Sequence, residues 1–516
     1  MISRRINMSF FGSLWLAALL GLLAGCSFEP KLAVPKAPAV KTYTAGKQPQ
    51  KLAAVKGVGK AGAQQQFAVG KPIERRWWKL FHSRRINQLV TTAVSHSPTL
   101  DAAIAALQES NENLKAVEGN FFPQLGLTGG AQRQRFSGVQ FGGATREFSL
   151  YTGEVTVSYT PDIFGLNRLV YRAGKASQDV SLHNLQEAYL TLEGNTVITA
   201  LQAAALRRQI IVTHRLVAAQ RRILKVLQNQ YKLGAINELS VINQRSTVAA
   251  TEATLPPLQQ RLAVAQHALA TLLGEIPSQA RLPAINLAQL DLPTRIPVSL
   301  PSQLVRQRPD ILSAEALLRA QNAQVGEAVA RMYPLVQLTG NMGLENDKPA
   351  DFFNASSFIW DVAANASVTL FDGGILRAEK RAQEAALRAQ IAQYRVVVLQ
   401  AFGQVADALR ALQNDAEALQ YSQASYVAAR QAFKLAQWQY KAGAIDYLTL
   451  LTSQTQFQSA RLNVVTAQAQ RYQDTAALFV AMGGGWWPKH YKDAVASPRK
   501  SAGLAGQASH KRKQSP

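Results

Sequence analysis

The feature that most constrains this chain is a duplication. Gln230-Tyr231-Lys232-Leu233-Gly234-Ala235-Ile236-Asn237 returns 209 residues later as Gln439-Tyr440-Lys441-Ala442-Gly443-Ala444-Ile445-Asp446. Other landmarks repeat in the same order. Pro98, Pro123, Leu127, Thr128 and Gly129 recur as Pro309, Pro334, Leu338, Thr339 and Gly340, at an offset of 211. Thr160, Gly165, Arg168, Gly194 and Gly274 recur as Thr369, Gly374, Arg377, Gly403 and Gly483, at 209. So long a period means a duplicated half-molecule, and repeats have to be settled before motifs are read. The chain divides into residues 1–25, 26–74, a first structural repeat 75–283, a second 284–488, and a tail 489–516.

Both repeats carry the same succession of patterns. A helix is expected over 98–119 and again over 309–331, with Pro at the first turn, where its missing N–H costs nothing. Phe122-Pro123 and Tyr333-Pro334 end these helices. Two segments of period-two alternation follow in each repeat. Leu125 and Leu127 alternate with Gln124 and Thr128; Tyr151, Val155 and Val157 with Thr152, Glu154 and Thr156. In the second repeat Val336 and Leu338 alternate with Gln337 and Thr339, and Trp360, Val362, Ala364 and Leu370 with Asp361, Asn365 and Thr369. Such strands have one apolar and one polar face.

Then come Pro-free runs over 166–231 and 374–440, dominated by the helix formers Ala, Gln, Leu and Arg. At 1.5 Å per residue, about 66 residues span roughly 100 Å, which implies a helical tube or coiled coil. The repeated phrase is the tip of a hairpin, with Gly where the chain must leave helical dihedrals. A return helix runs to Gly274 and to Gly483. Pro256-Pro257 should kink the first return helix, and the second has no such pair.

Four strands cannot close a membrane barrel, the smallest having about eight. Open edges are not tolerated in lipid. A barrel would therefore be shared between chains; two copies give eight strands and three give twelve.

The N-terminus reads as a secretory signal: Arg4-Arg5, an apolar stretch from Phe10 to Leu23, then Leu23-Ala24-Gly25-Cys26. Cys26 is the only cysteine, so no disulfide can form within one chain. Leu-Ala-Gly-Cys resembles the bacterial lipoprotein box, which implies a lipidated Cys26, and Ser27 after it implies export to the outer membrane. Residues 27–70, rich in Lys, Ala, Pro and Gly without periodicity, read as a tether or surface strap.

The net charge of +24 is uneven. Residues 26–85 carry 13 Lys/Arg against two Glu, and 489–516 carry seven against one Asp. A nucleic-acid-binding fold concentrates charge on its folded body; here the excess flanks it, so solvated basic tails are the reading and nucleic acid is not a partner. The seven His form no H-x-x-x-H pair, and there is no phosphate loop and no G-x-S-x-G. No enzyme, metal or cofactor is therefore expected beyond the lipid on Cys26. A coiled-coil lipoprotein without a pore would need no alternating strands, which argues against it.

Four stretches carry a resemblance: Arg76-Trp77-Trp78-Lys79-Leu80-Phe81; Leu300-Pro301-Ser302-Gln303-Leu304-Val305-Arg306-Gln307-Arg308-Pro309-Asp310-Ile311; Phe371-Asp372-Gly373-Gly374; and Ala481-Met482-Gly483-Gly484-Gly485-Trp486. With the duplication, they make residues 75–488 resemble the TolC-like outer membrane factor family, in its efflux-lipoprotein (NodT/OprM-like) branch. The resemblance implies an α+β membrane channel: a homotrimer whose 12-stranded transmembrane β-barrel continues into a periplasmic 12-helix α-barrel, with four strands and two long helical hairpins per chain. It implies a passive duct for small molecules, working with a periplasmic adaptor and a proton-driven inner-membrane pump; a type I protein-secretion duct is the alternative. It places Tyr231, Leu233, Gly234, Ala235, Ile236, Tyr440, Gly443, Ala444 and Ile445 at the adaptor. It places Asp446, Leu448, Thr449, Leu451 and Thr452 at the pore constriction. Thr449 and Thr452 stand where the family often has acids, which favours a hydroxyl and leucine constriction.

Overall fold

A computed structural model describes residues 28–35, 40, 42–46, 49–71, 73–137, 143 and 145–485. The signal segment, Cys26, Trp486 and the tail 489–516 lie outside the described residues. The larger elements, in order, are β1 (Gln66–Val69), α1 (Arg84–His96), α2 (Pro98–Glu118), β2 (Gln124–Phe136), β3 (Arg146–Tyr159), α3 (Leu166–Lys232), α4 (Glu238–Glu252), α5 (Leu255–Leu272), β4 (Arg295–Val298), α6 (Pro309–Ala330), β5 (Leu335–Asn346), β6 (Phe358–Ser367), α7 (Ile375–Lys441) and α8 (Tyr447–Ala481). The expected succession of helix, two strands and long hairpin is present in both repeats. The two longest helices, α3 and α7, have 67 residues each.

At Pro256-Pro257, where a kink is expected, the first return helix is interrupted. α4 stops at Glu252 and α5 starts at Leu255 with Pro at its first positions. Ala253 and Thr254, between the two helices, keep right-handed helical dihedrals, and the missing N–H groups of the two prolines interrupt the hydrogen-bond ladder there. α8, which has no such pair, is continuous over 35 residues.

The chain forms two compact units, and each draws on both repeats. The first contains Leu107–Ser181, Ser313–Arg395 and the described residues up to Pro35. Its centre is a four-stranded antiparallel sheet in the order β2-β3-β5-β6. Thr128 lies opposite Glu154, Ser158 opposite Thr339, and Thr339 opposite Ala363. One face carries Leu125, Leu127, Val155, Val157, Leu338, Met342, Trp360 and Val362. All are exposed, Leu127 to 81% and Val362 to 79%. The other face carries Thr128, Glu154, Thr156, Asn341 and Asp361, with Asn341 Nδ2 donating to Asp361 Oδ1 at 2.9 Å. Among the described residues nothing pairs with the outer edge of β2 or of β6.

Carboxylates start the long helices. Asp162 accepts from the N–H groups of Asn167 (2.8 Å) and Arg168 (3.0 Å), and Asp372 from those of Gly374 (2.7 Å) and Leu376 (2.8 Å). These bonds satisfy donors that the first turn of a helix leaves orphaned. The N-terminal strap is pinned here as well. Phe28 stacks on Tyr333 with centroids 4.2 Å apart, and Glu29 accepts from Arg172 Nη1 at 2.6 Å and Asn322 Nδ2 at 3.0 Å.

The second unit contains the described residues between Lys36 and Ala106, Leu182–Leu312, and the chain from Val396 onward. Trp77 is fully buried and stacks on Phe479 at 5.3 Å, with Trp78 and Phe81 edge-on to it. A buried side chain of this size contributes about 1.5–3 kcal/mol. Arg308 reaches the end of α8: its Nη1 donates to Ala481 O at 2.7 Å, and Nη2 to Asp310 at 2.7 Å and Gln404 at 2.9 Å. A Cβ on Gly484 would lie 2.9 Å from Phe479 O and 3.2 Å from Trp77 Cδ1, so only glycine fits there. The motifs Trp77-Trp78, Arg308-Pro309-Asp310 and Gly483-Gly484 thus meet in one packed joint.

The strap's second half is also held. β1 pairs in parallel with β4, Phe67 opposite Ile296. Arg471 of α8, itself fully buried, donates to Ala61 O (2.9 Å), Ala63 O (3.0 Å) and Gln65 Oε1 (3.2 Å).

Candidate functional site

The repeated phrase folds identically in both hairpins. Gly234 N–H donates to Tyr231 O at 2.9 Å and Ala235 N–H to Gln230 O at 2.9 Å; Gly443 N–H donates to Tyr440 O at 3.1 Å and Ala444 N–H to Gln439 O at 2.9 Å. This pair of bonds is the Schellman termination, which needs a left-handed residue at the glycine. φ is 72° at Gly234 and 75° at Gly443. The next helix then begins on a side-chain cap. Asn237 Oδ1 accepts from Ser240 N–H at 3.2 Å, and Asp446 Oδ1 from Thr449 N–H at 2.9 Å. The Thr449 side chain first, and its backbone N–H second, hold the Asp446 carboxyl below its ordinary range.

Tip residues divide by burial. Tyr231, Leu233, Gly234, Ala235, Gly443 and Ala444 are exposed, Leu233 to 83%. Ile236, Tyr440 and Ile445 instead turn inward. They pack on a cluster of Leu227, Val241, Ala436, Tyr447 and Leu450, which fastens the two hairpins together just behind the tips. Of the five residues assigned to the constriction, Leu448, Thr449, Thr452 and Asp446 are exposed, Leu448 to 60%. Leu451 packs on the same cluster. Thr452 Oγ1 donates to Leu448 O at 2.9 Å.

Behind the cluster is a polar network that the sequence did not signal. The Tyr447 hydroxyl donates to Gln244 Oε1, and Gln244 Nε2 to Gln220 O at 3.1 Å. Gln220 Nε2 donates to Thr251 Oγ1 (2.9 Å) and Gln458 Oε1 (2.8 Å). Burial raises the Tyr447 hydroxyl far above the ordinary tyrosine range, so it remains a donor. Trp438, 69% exposed one turn before the second tip, and Leu435, 55% exposed, were also missed. A Trp in a run of Ala and Gln was the available signal.

Farther along the same unit, Glu187, Arg308, Asp310, Asp407 and Asp474 line a cavity of about 780 Å³. Burial, then Asp310, raises the Glu187 carboxyl. The Asp415 carboxyl, against Asp474, is pushed up to about 8, by burial first and then by Asp474. Among the described residues no group of three or more His, Cys, Asp and Glu could hold a metal, and no helix is long and apolar enough to cross a membrane. The latter says nothing of a β-barrel.

A sheet with a bare apolar face and, among the described residues, two unpaired edges, carried on a chain with two 67-residue helices, fits the class of membrane channel proteins. The comparisons with known proteins give the particular family. The family of outer membrane efflux proteins matches residues 89–275 and 300–484, one stretch in each repeat, and the chain belongs to it. It is 31% identical over 420 residues to the pyoverdine export outer membrane protein OpmQ of Pseudomonas putida, covering 80% of this chain and 88% of that one. It is 25% identical to the cation efflux system protein CusC of Escherichia coli, covering 90% and 96%. The solved outer-membrane channel OprN superposes with a TM-score of 0.79 at 26% identity, covering 86% of this chain and 99% of that one. The chain is an outer-membrane channel component of an efflux system.

Proposed function

We propose that three copies form a passive duct that carries small molecules outward from an inner-membrane pump through a periplasmic adaptor. The observation that carries this is the pair of free edges on one apolar-faced sheet, since an open sheet leaves backbone groups unsatisfied in lipid. Three copies give twelve strands and twelve helical segments. The structural repeats are 75–283 and 284–488. Cys26 bears the lipid, and the strap from Phe28 onward fastens the anchored end to the body. Small-molecule cargo is supported by the printed names of the relatives, a pyoverdine exporter and a cation efflux protein.

The exposed tip residues Tyr231, Leu233, Gly234, Ala235, Gly443 and Ala444 dock the adaptor, aided by Leu435 and Trp438. Ile236, Tyr440 and Ile445 act from within, by holding the tips rigid. Leu448, Thr449 and Thr452 narrow the pore beside the second tip, with Asp446 capping that helix and Leu451 backing it.

Purified protein in planar bilayers tests the duct. Discrete conductance steps are expected, larger for Leu448→Ala than for wild type; a protein that inserts without conducting would overturn the reading. Gly443→Pro tests docking: it should abolish the export-dependent resistance of the host while leaving the assembly in the membrane. Resistance at the wild-type level would sink the tip assignment.

A further inference from the structure

The loop between β5 and β6 decides what the rim of the sheet meets. We infer that this loop, residues 347–357, folds back over the apolar face and, together with Arg133 and Arg135, seats a phosphate-bearing lipid of the outer leaflet. This rests on the proposed membrane barrel, but not on the number of copies in it.

Two observations give the side to which the loop turns. Leu127, Val155, Met342 and Trp360 form one cross-strand row on the apolar face. Side chains alternate along a strand, so the next row toward the loop, Gly129, Gly153, Leu344 and Phe358, projects to the same side, and so does Asn346 beyond it. A Cβ placed on Gly153 would lie 3.1 Å from Cζ of Phe352. The Phe352 ring therefore covers the apolar side, over a strand position with no side chain to oppose it, the close approach that a strand glycine permits. Asn346 gives the same answer independently. From the apolar side its Nδ2 donates to Ser357 Oγ at 2.7 Å and to Asp351 O at 3.4 Å. The loop thus turns away from the polar face of Thr128, Glu154 and Asp361.

Hydrogen bonds within the loop fix what it presents. Ser357, itself buried, donates to Asp351 O at 2.8 Å. Lys348 N–H donates to Asn346 Oδ1 at 3.0 Å, and Asn354 Nδ2 to Asp351 Oδ1 at 2.9 Å. The polar groups are spent on one another, and two rings remain on show. Phe353 stands edge-on to Phe352, centroids 5.2 Å apart, and is 86% exposed. Phe358 and Trp360, also exposed, carry the aromatic patch onto β6. Such rings gain by leaving water for hydrocarbon.

Depth and charge name the occupant. The apolar alternation of β6 runs on from Phe358 to Leu370. At about 3.3 Å per residue and a tilt of about 40° it rises roughly 30 Å, the thickness of a hydrocarbon core. Leu370 adjoins Asp372, which caps α7, so Phe352, Phe353 and Phe358 lie at the border farthest from the helices, where aromatic girdles sit. Beyond Tyr151 the same side of the sheet becomes charged. Arg133, opposite Ser149, and Arg135, opposite Glu147, both reach the Glu147 carboxylate, at 3.4 and 3.6 Å. Two cations share one carboxylate, which leaves one positive charge at the level of the lipid headgroups. Rings continuous with the bare sheet face, with an arginine pair just above them, fit an acyl chain below a phosphate.

Bimane on Phe353→Cys, in the full-length protein reconstituted in phosphatidylcholine vesicles, reads both parts; wild type carried through the same labelling gives the background from Cys26. Brominated acyl chains should quench this label more than aqueous iodide does, as for a label on Val362→Cys, and Thr128→Cys on the polar face should show the reverse. Iodide quenching at Phe353 beside acyl-chain quenching at Val362 would put the loop over the pore and overturn the site. Iodide quenching at Val362 as well would overturn the barrel reading, and the site with it. When brominated phosphatidic acid replaces the same amount of brominated phosphatidylcholine, quenching at Phe353 should rise about fivefold, the effect of one uncompensated cation near a lipid surface. Arg133→Gln with Arg135→Gln should remove that rise and leave Val362 unchanged. Equal quenching by the two lipids at Phe353 would overturn the phosphate-bearing occupant.

Discussion

The hydroxyl of Tyr447, at the start of α8, donates to Gln244 Oε1 on α4, joining two side chains 203 residues apart. Both are buried, so the bond fastens one hairpin to the other just behind the tips. Tyr447→Phe keeps the ring contact with Tyr440 at 6.0 Å and strands only the Gln244 oxygen. An unsatisfied buried acceptor costs about 1–3 kcal/mol. The thermal midpoint should fall, and Tyr447→Phe combined with Gln244→Leu should recover part of the loss. A double variant worse than the sum of its parts would contradict this coupling.

Glycine is required for different reasons at Gly443 and Gly484. At Gly443 a Cβ meets open space and only φ matters. Gly443→Ala should cost about 1 kcal/mol and Gly443→Asn less, because Asn tolerates left-handed backbone. At Gly484 a Cβ would press on the backbone oxygen of Phe479, so Gly484→Ala should cost more, about 1–3 kcal/mol, the range for overpacking. Denaturant unfolding of the three variants gives the order.

Arg471 holds the strap by three hydrogen bonds from a fully buried position. Arg471→Met fills the space but leaves Ala61 O, Ala63 O and Gln65 without their donor. Residues 49–69 should become cleavable in limited proteolysis while the long helices stay resistant. Equal protection of that segment in the variant would show that β1–β4 pairing alone suffices.

The raised carboxyl of Asp415 makes a pH prediction. Its pKa is higher folded than unfolded, so between the ordinary carboxylate range and about 8 the native chain holds a proton that the unfolded chain has released. Its contribution to stability is full below about pH 4, falls as pH rises, and levels off above about 8. Asp415→Asn should flatten this part of the profile. Urea midpoints of wild type and variant at several pH values between 5 and 9 check it.

The sequence determined the elements and their order. Alternation at Leu125–Val157 and Val336–Leu370, the Pro-free runs and the glycines of the two tips depend on neighbours a few residues away, and such local preferences survive without a tertiary frame. The duplication went further, because two copies of one pattern expose the offsets that strand pairing obeys. What only the tertiary structure decided depends on residues far apart in the chain. It turned Ile236, Tyr440, Ile445 and Leu451 inward while leaving Leu233 and Leu448 outside, although all six look alike as apolar residues near a tip. It joined Tyr447 to Gln244 and Arg471 to the strap, and it gathered the Trp77, Arg308 and Gly484 motifs into one structural joint. Burial is a property of which helix faces meet, and no stretch of sequence carries that until the hairpins pack.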